Sequence, residues 1–351
     1  MYDLIVVGGG PAGASAAITA ARSGASVLVL ERAKYPRHKV CGEFVSAESL
    51  GLLRNLLAAP YQSLLDGAIR ISEGRIFLDG RLLHAPVDPP AASIARFDLD
   101  EVLYQSALAA GVKIRVQTTV QAISGSVTFR VSTPAEEFEA RAVINASGRW
   151  SNLTAAPVAN AEKWLGIKAH YAEIAPAPSV DLYFFEGGYC GVQPVTLRTD
   201  HSSHGRVNAA AMVRADVASS LPQILSLNPA LADRSREWQL LSDPVTTSPL
   251  IFRKPQPVRD GVLNAGDAAA FVDPFVGDGI SLALRSGALA AECMGSPELY
   301  AQQYQRRFGP VFRASSQLRR LLRLPQQIRK PILSVLEHTP AVTEFFVTRT
   351  R

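Results

Sequence analysis

The chain has 351 residues, 47% of them apolar and 19% charged, with a net charge of +5. That length supports a sizeable core, in one large domain or two intertwined ones, and the balance excludes a disordered or fibrous chain. Cys41, Cys190 and Cys293 show no CxxC spacing and the histidines form no HExxH, which excludes a disulfide framework and a zinc site, so no metal is expected.

Met1 leads straight into an apolar run, without the charged start of a secretory signal. No uninterrupted apolar stretch is long enough to span a bilayer, and a cytoplasmic location is expected. Residues 2–7 (YDLIVV) predict a strand, 8–13 (GGGPAG) a turn, and the Ala-rich run to about Arg22 a helix. Residues 26–30 (SVLVL) give a second strand, completing a βαβ unit of about thirty residues, the size that opens dinucleotide-binding folds. Gly8 permits the tight turn, Gly10 lets a pyrophosphate approach the backbone, and Gly13 lets helix and strand pack closely. Glu31 ends the second strand, where a carboxylate accepts from a ribose 2′-hydroxyl and repels a 2′-phosphate, so NADP is disfavoured in this site.

Residues 33–45 are basic and turn-rich, and a helix over 46–57 has Ser46 as its cap. Short alternating segments over 68–87 predict antiparallel strands, and 97–110 a helix ending at Gly111. Strands return over 112–146. Longer β segments between about 165 and 250 form a second sheet, with a helical stretch near 216–242. Residues 261–281 (GVLNAGDAAAFVDPFVGDGIS) run from a strand through Gly266-Asp267 and Pro274 to Gly277-Asp278-Gly279, where an apolar helix begins. Helices continue to about 347, with breaks at Pro325, Pro331 and Pro340.

The first glycine motif serves NAD and FAD alike. Residues 261–281 resemble the second FAD fingerprint of the para-hydroxybenzoate hydroxylase-like flavoproteins. That resemblance implies FAD as cofactor, with Asp267 on the ribityl chain and Gly277 and Gly279 beside the pyrimidine edge of the isoalloxazine. The helix starting near Asp278 then points its positive end at flavin N1–C2=O, and Asp278 is also placed to cap it. Arg96 matches the family's arginine at a helix head that contacts FAD phosphate or ribityl. Residues 145–148 (NASG) resemble its strand-end turn under the cofactor. The hydroxylase branch usually has Asp-Gly there, whereas this chain has Ser147-Gly148. Residues 39–43 (KVCGE) are closer to the geranylgeranyl reductase branch, whose Cys-Gly pair lies near the flavin. The resemblance also implies cofactor contacts at Ala12, Arg32, Cys41, Gly42, Gly148, Gly266 and Pro274.

Residues 184–194 (FFEGGYCGVQP) resemble the strand pair whose aromatic residues wall the substrate cavity in reductase-like members. Phe184, Tyr189 and Pro274 are thereby substrate-contact candidates, and Cys41 and Tyr189 are catalytic candidates. Against these stand the plain alternatives of a buried thiol and core aromatics. The GWxWxIP pattern of flavin-dependent halogenases is absent.

The expected fold is α/β: a Rossmann-like FAD-binding domain (1–67, 95–160 and 251–295) interleaved with an antiparallel β-sheet substrate domain (68–94 and 161–250), followed by C-terminal helices (296–351). The expected activity is that of an FAD-dependent oxidoreductase on a hydrophobic small molecule, reducing a carbon–carbon double bond. The alternatives are a monooxygenase of an aromatic or polyketide-like substrate, and a flavoprotein that modifies or escorts a partner polypeptide. With one GxGxxG, NAD(P)H or another electron donor docks transiently. The arginines at 306, 307, 313, 319, 320, 323 and 329 and Lys330 give two readings: a peripheral contact with an anionic membrane, or a solvated helix face. No interleaved aromatics accompany them, and nucleic acid is not an expected partner.

Overall fold

The computed structural model describes residues 1–149, 153, 162–198, 205–329 and 331. The chain runs through β1 (Tyr2–Val7), α1 (Pro11–Arg22), β2 (Val27–Leu30), β3 (Phe44–Val45), α2 (Ala47–Leu56), α3 (Ser63–Asp66), β4 (Ile69–Leu78), β5 (Arg81–Ser93) and α4 (Arg96–Ala109). Next come β6 (Lys113–Arg115), β7 (Ala122–Ser124), β8 (Phe129–Ser132), β9 (Glu137–Asn145), β10 (Trp164–Glu173), β11 (Ser179–Phe185), β12 (Gly188–Pro194) and β13 (Gly205–Arg214). It finishes with α5 (Leu221–Leu225), α6 (Pro229–Arg234), β14 (Gln239–Leu240), β15 (Val245–Thr247), β16 (Val258–Arg259), β17 (Val262–Asn264), α7 (Gly279–Glu292) and α8 (Pro297–Leu322).

Two sheets result. The first has the order β16-β17-β9-β1-β2-β6, with β8 and β7 extending from β9. Its centre is parallel, β1 lying between β2 and β9, and both faces are covered, so β1 and β2 are apolar without alternation. Small residues let α1 and α7 come close: a Cβ on Gly287 would stand 2.1 Å from the Ala12 carbonyl oxygen, and Ser15 Oγ donates to Leu284 O at 2.7 Å.

The second sheet has the order β14-β10-β13-β12-β11-β4-β5-β3, with β15 also on β10. It departs from the expected all-antiparallel pattern at one seam, where β11 and β4 run parallel. β3, in a stretch read as turn, pairs with β5 and ties the loop after β2 to this sheet. Residues along β12 alternate: Cys190 and Val192 enter the core shared with Ile167 and Val207, while Tyr189, Gly191 and Gln193 face the space between the sheets.

α8 is one helix with Pro310 inside it. The expected break at Pro340 falls outside the described residues. Among those described, no helix is long and apolar enough to cross a membrane.

Candidate active site

Between the two sheets lies an elongated cleft of about 540 Å³. One end is formed by Glu31, Arg32 and residues 118–120, its middle by Gly8, Gly10, Arg96 and Asp267, and its far end by Cys41, Tyr189, Phe275 and Gly277. β1, β9 and β17 all point their C-terminal ends at it, as open parallel sheets do with their ligands.

The glycine turn is built for close approach. Gly8 has φ 99°, and a Cβ there would meet Ala146 O at 2.4 Å. Gly13 does not line the cleft; a Cβ on it would stand 1.8 Å from Gly8 O, so its role is the helix–strand contact. At Gly10 a Cβ would meet only Arg96 Nη2, at 3.9 Å, and no side chain caps α1. The first N–H groups of α1 therefore face an open, positively flanked space, as a pyrophosphate requires. Glu31 accepts from Gly9 N at 2.7 Å and Ala33 N at 2.8 Å and pairs with Arg37 at 2.6 Å. Burial raises its pKa, but Arg37 together with the Gly9 and Ala33 N–H groups makes the net shift downward, keeping a carboxylate at this end of the cleft.

Arg96 holds Asp100 with both ends of its guanidinium, at 2.7 and 2.9 Å. Burial works against its charge, yet Asp100 and the neighbouring Cys41 thiol hold its pKa above the ordinary arginine value. Lys39 is pushed down to about 8 by burial and by Arg37 and Arg96. Asp267 faces Arg149 at 3.7 Å; burial lifts its pKa, opposed by Arg149, Arg96 and Lys39. Ala12, Gly42, Gly148, Gly266, Pro274, Gly277 and Gly279 all line the cleft. The glycine turn with the open head of α1, the basic middle and the carboxylate at the Glu31 end fit an FAD along the cleft.

Cys41 Sγ accepts from Glu43 N at 3.3 Å, and Asn208 Nδ2 donates to Cys41 O at 3.0 Å. Tyr189 stands opposite with Met212, Leu250 and Phe275 in an apolar cluster. Phe184 sits one layer out, its ring 5.5 Å from Tyr189 and 6.2 Å from Phe275, and does not line the cleft. Burial holds the Tyr189 phenol well above its ordinary pKa, and its hydroxyl bonds to no described residue.

Three features lie outside the sequence expectations. Glu43, at φ 64°, is fully buried and binds Lys168 Nζ, His170 Nε2 at 2.8 Å and Arg96 N at 2.8 Å. Burial alone would raise its pKa, but Lys168 and His170 bring it to about 2. Lys168 and His170, two apart on a strand otherwise apolar there, were a readable sign of a buried charged partner. Ser46 and Asp278 occupy cap positions without capping; Ser46 Oγ instead donates to Asp278 Oδ1 at 2.8 Å. Finally, Arg319 on α8 bonds Asp273 at 2.5 Å and lies 3.6 Å over Phe252. Phe252 stacks on Phe271 at 5.1 Å, with Arg149 at 4.3 Å over Phe271. Each arginine is attracted to the ring it covers, and the two rings stack on each other.

A two-sheet α/β fold holding a nucleotide-shaped cleft between its sheets defines an FAD-dependent flavoprotein. The chain belongs to the FAD-dependent oxidoreductases: the family model described as FAD dependent oxidoreductase matches residues 37–293, and one described as FAD binding domain matches 3–41. It is 30% identical to a menaquinone reductase of Mycolicibacterium smegmatis, over 94% of this chain and 87% of that protein. It is 27% identical to digeranylgeranylglycerophospholipid reductase 2 of Methanopyrus kandleri, over 89% of this chain and 84% of the relative. The flavin-dependent brominase Bmp2 has the same fold, with a TM-score of 0.80 at 18% identity over 99% of this chain and 93% of that one.

Proposed function

We propose that this enzyme reduces a carbon–carbon double bond in a long hydrophobic, isoprenoid-bearing substrate. The observation that carries this reading is the apolar far end of the cleft, where Met212, Leu250 and Phe275 surround a Tyr189 hydroxyl that bonds to no described residue. A buried phenol normally finds a hydrogen bond, so the bound ligand is its partner. The names of the reductase relatives point to the same kind of substrate. When bound in reduced form, FAD supplies the hydride.

The chain's own residues hold, orient and exclude water. Asp267 takes the ribityl hydroxyls, Gly277 and Gly279 admit the pyrimidine edge, and Arg96 with the N-terminus of α1 neutralises the pyrophosphate. Tyr189 orients the substrate against the Cys41 side, and the apolar wall keeps the alkene dry. Arg306, Arg307, Arg313, Arg320 and Arg323 are exposed along α8, a face suited to the anionic membrane surface from which such a lipid would be drawn.

Anaerobic turnover of the reduced enzyme with a polyprenyl quinone or geranylgeranyl lipid tests this. The expected product is two mass units heavier. A strict oxygen requirement with oxygen in the product would establish the monooxygenase alternative instead.

A further inference from the structure

Asp278 is a buried carboxylate that the activity described above does not use. The residue is 1% exposed; it lies between Gly277 and Gly279, which line the cleft, but does not itself line it, and sits behind that wall. Gly277 has φ 77°, and a Cβ on Gly279 would meet nothing within 4 Å. Although Asp278 precedes α7, its carboxylate turns away from the helix N–H groups. Oδ1 ends a hydrogen-bond chain: Ser46 Oγ donates to it at 2.8 Å, and Ser281 Oγ lies 2.6 Å from Ser46 Oγ, accepting from Ser46 N at 3.3 Å. Oδ2 is buried and has no hydrogen-bond partner among the described residues.

An orphaned carboxylate oxygen is costly to keep charged and is the natural place for a proton. The groups around it are Ser46 and Glu48 from α2, and Ser281 and Arg285 from α7. Glu48 is exposed, and the chain of two serines supplies little compensation. Burial accordingly lifts the Asp278 pKa to about 6, with Ser46 and Arg285 opposing.

We propose that Asp278 tunes the flavin by taking up a proton as the cofactor is reduced. The proposal rests on the orientation given above, with the pyrimidine edge of the isoalloxazine over Gly277 and Gly279. Two-electron reduction would add negative charge at the pyrimidine edge, which that orientation sets over Gly277 and Gly279 with the Asp278 carboxylate behind them, and charge near N1 governs the cofactor's electronics. Two like charges in a desolvated pocket cannot both persist cheaply. The balance is two electrons from the reductant and one proton to the flavin, with a second solvent proton to Asp278 Oδ2. No bond to carbon changes in Asp278. The head of α7 then keeps its positive end available to the flavin, because the neutral acid no longer cancels it.

The test is the midpoint potential of the FAD-loaded enzyme between pH 5.5 and 8.5, titrated with dithionite against reference dyes. The wild type should take up two protons per two electrons from about pH 6 upward, until the carboxyl of the reduced form ionises. Asp278→Asn should take up one over that same window and show a higher potential at pH 8. Ser46→Ala, which keeps the carboxylate but removes its hydrogen bond, should move both breaks to higher pH. A slope unchanged in Asp278→Asn, or breaks unmoved in Ser46→Ala, overturns the proposal. Gly279→Leu separates this from the orientation it rests on, since a side chain there should block FAD binding, read by absorbance of the purified protein. FAD retained in full by Gly279→Leu overturns the orientation and the proposal together. FAD lost there with the Asp278→Asn slope unchanged overturns the tuning role alone.

Discussion

Glu43 and Asp278 are both buried carboxylates within a residue or two of the cleft, and their surroundings drive them in opposite directions. Glu43 has both oxygens committed, to Lys168, His170 and a backbone N–H, and stays ionised down to about pH 2. Asp278 has one oxygen on a serine and the other on nothing, and gives up its charge near pH 6. Burial is not what separates them. Partners do: a desolvated charge that is fully paired becomes a clasp, and one that is half paired becomes a titrating group.

The largest expected effect breaks the clasp. Glu43→Ala leaves Lys168 buried without its carboxylate and should cost about 3–5 kcal/mol at pH 7, read as a fall in denaturant midpoint. The loss should shrink as pH falls from about 4.5 towards 2, because the wild-type carboxylate is itself protonated there. A double variant, Glu43→Gln with Lys168→Met, should recover most of it.

Asp278→Asn should show the opposite sign. The folded state binds the Asp278 proton more tightly than the unfolded chain does, so the wild type loses stability as pH rises from about 4 through about 6. The asparagine variant should gain on the order of 1–3 kcal/mol above pH 6, measured as a higher Tm, and nothing near pH 4.

The smallest effect concerns Asp273, which lies between the two extremes. It has one ion pair, with Arg319, and one orphaned oxygen, and burial lifts its pKa to about 6 despite that arginine. Arg319→Met should cost about 1–2 kcal/mol at pH 7 through the lost pair and ring contact, and less at pH 5. Equal losses at both pH values would show that the ring contact, not the pair, carries the stability.

Much of the cofactor side was legible because its signals are local. The glycine turn, Glu31 and the Gly266-Asp267 stretch are contiguous patterns whose backbone demands only glycine or a small residue meets. Arg96 was legible as a residue at a helix head, but its bond to Asp100 was not marked out in advance. The clasp was only half legible: Lys168 and His170 mark a buried charged partner without saying which residue it is. Glu43 and Lys168 are 125 positions apart, and β3 and β10 are far apart in the sheet order; the loop before β3 reaches β13 and β10 directly, with Asn208 Nδ2 on Cys41 O, and no sequence spacing encodes that contact. The same holds for Arg319, counted among surface cations in the sequence and found turned inward to Asp273. Phe184 shows the limit of resemblance: it was grouped with Tyr189 because residues 184–194 resemble a cavity-walling strand pair, yet of the two paired rings only Tyr189 lines the cleft.

The packing of Gly287 against the Ala12 carbonyl has a consequence for biosynthesis. α1 leaves the ribosome well before the helix that covers it. At roughly 5–20 residues per second, the apolar face of α1 waits on the order of tens of seconds for α7. The second sheet, whose long strands β10 to β13 emerge in between, can pair before the cofactor-binding half closes around it. The packing of α1 against α7 is therefore completed only after the strands between them have emerged.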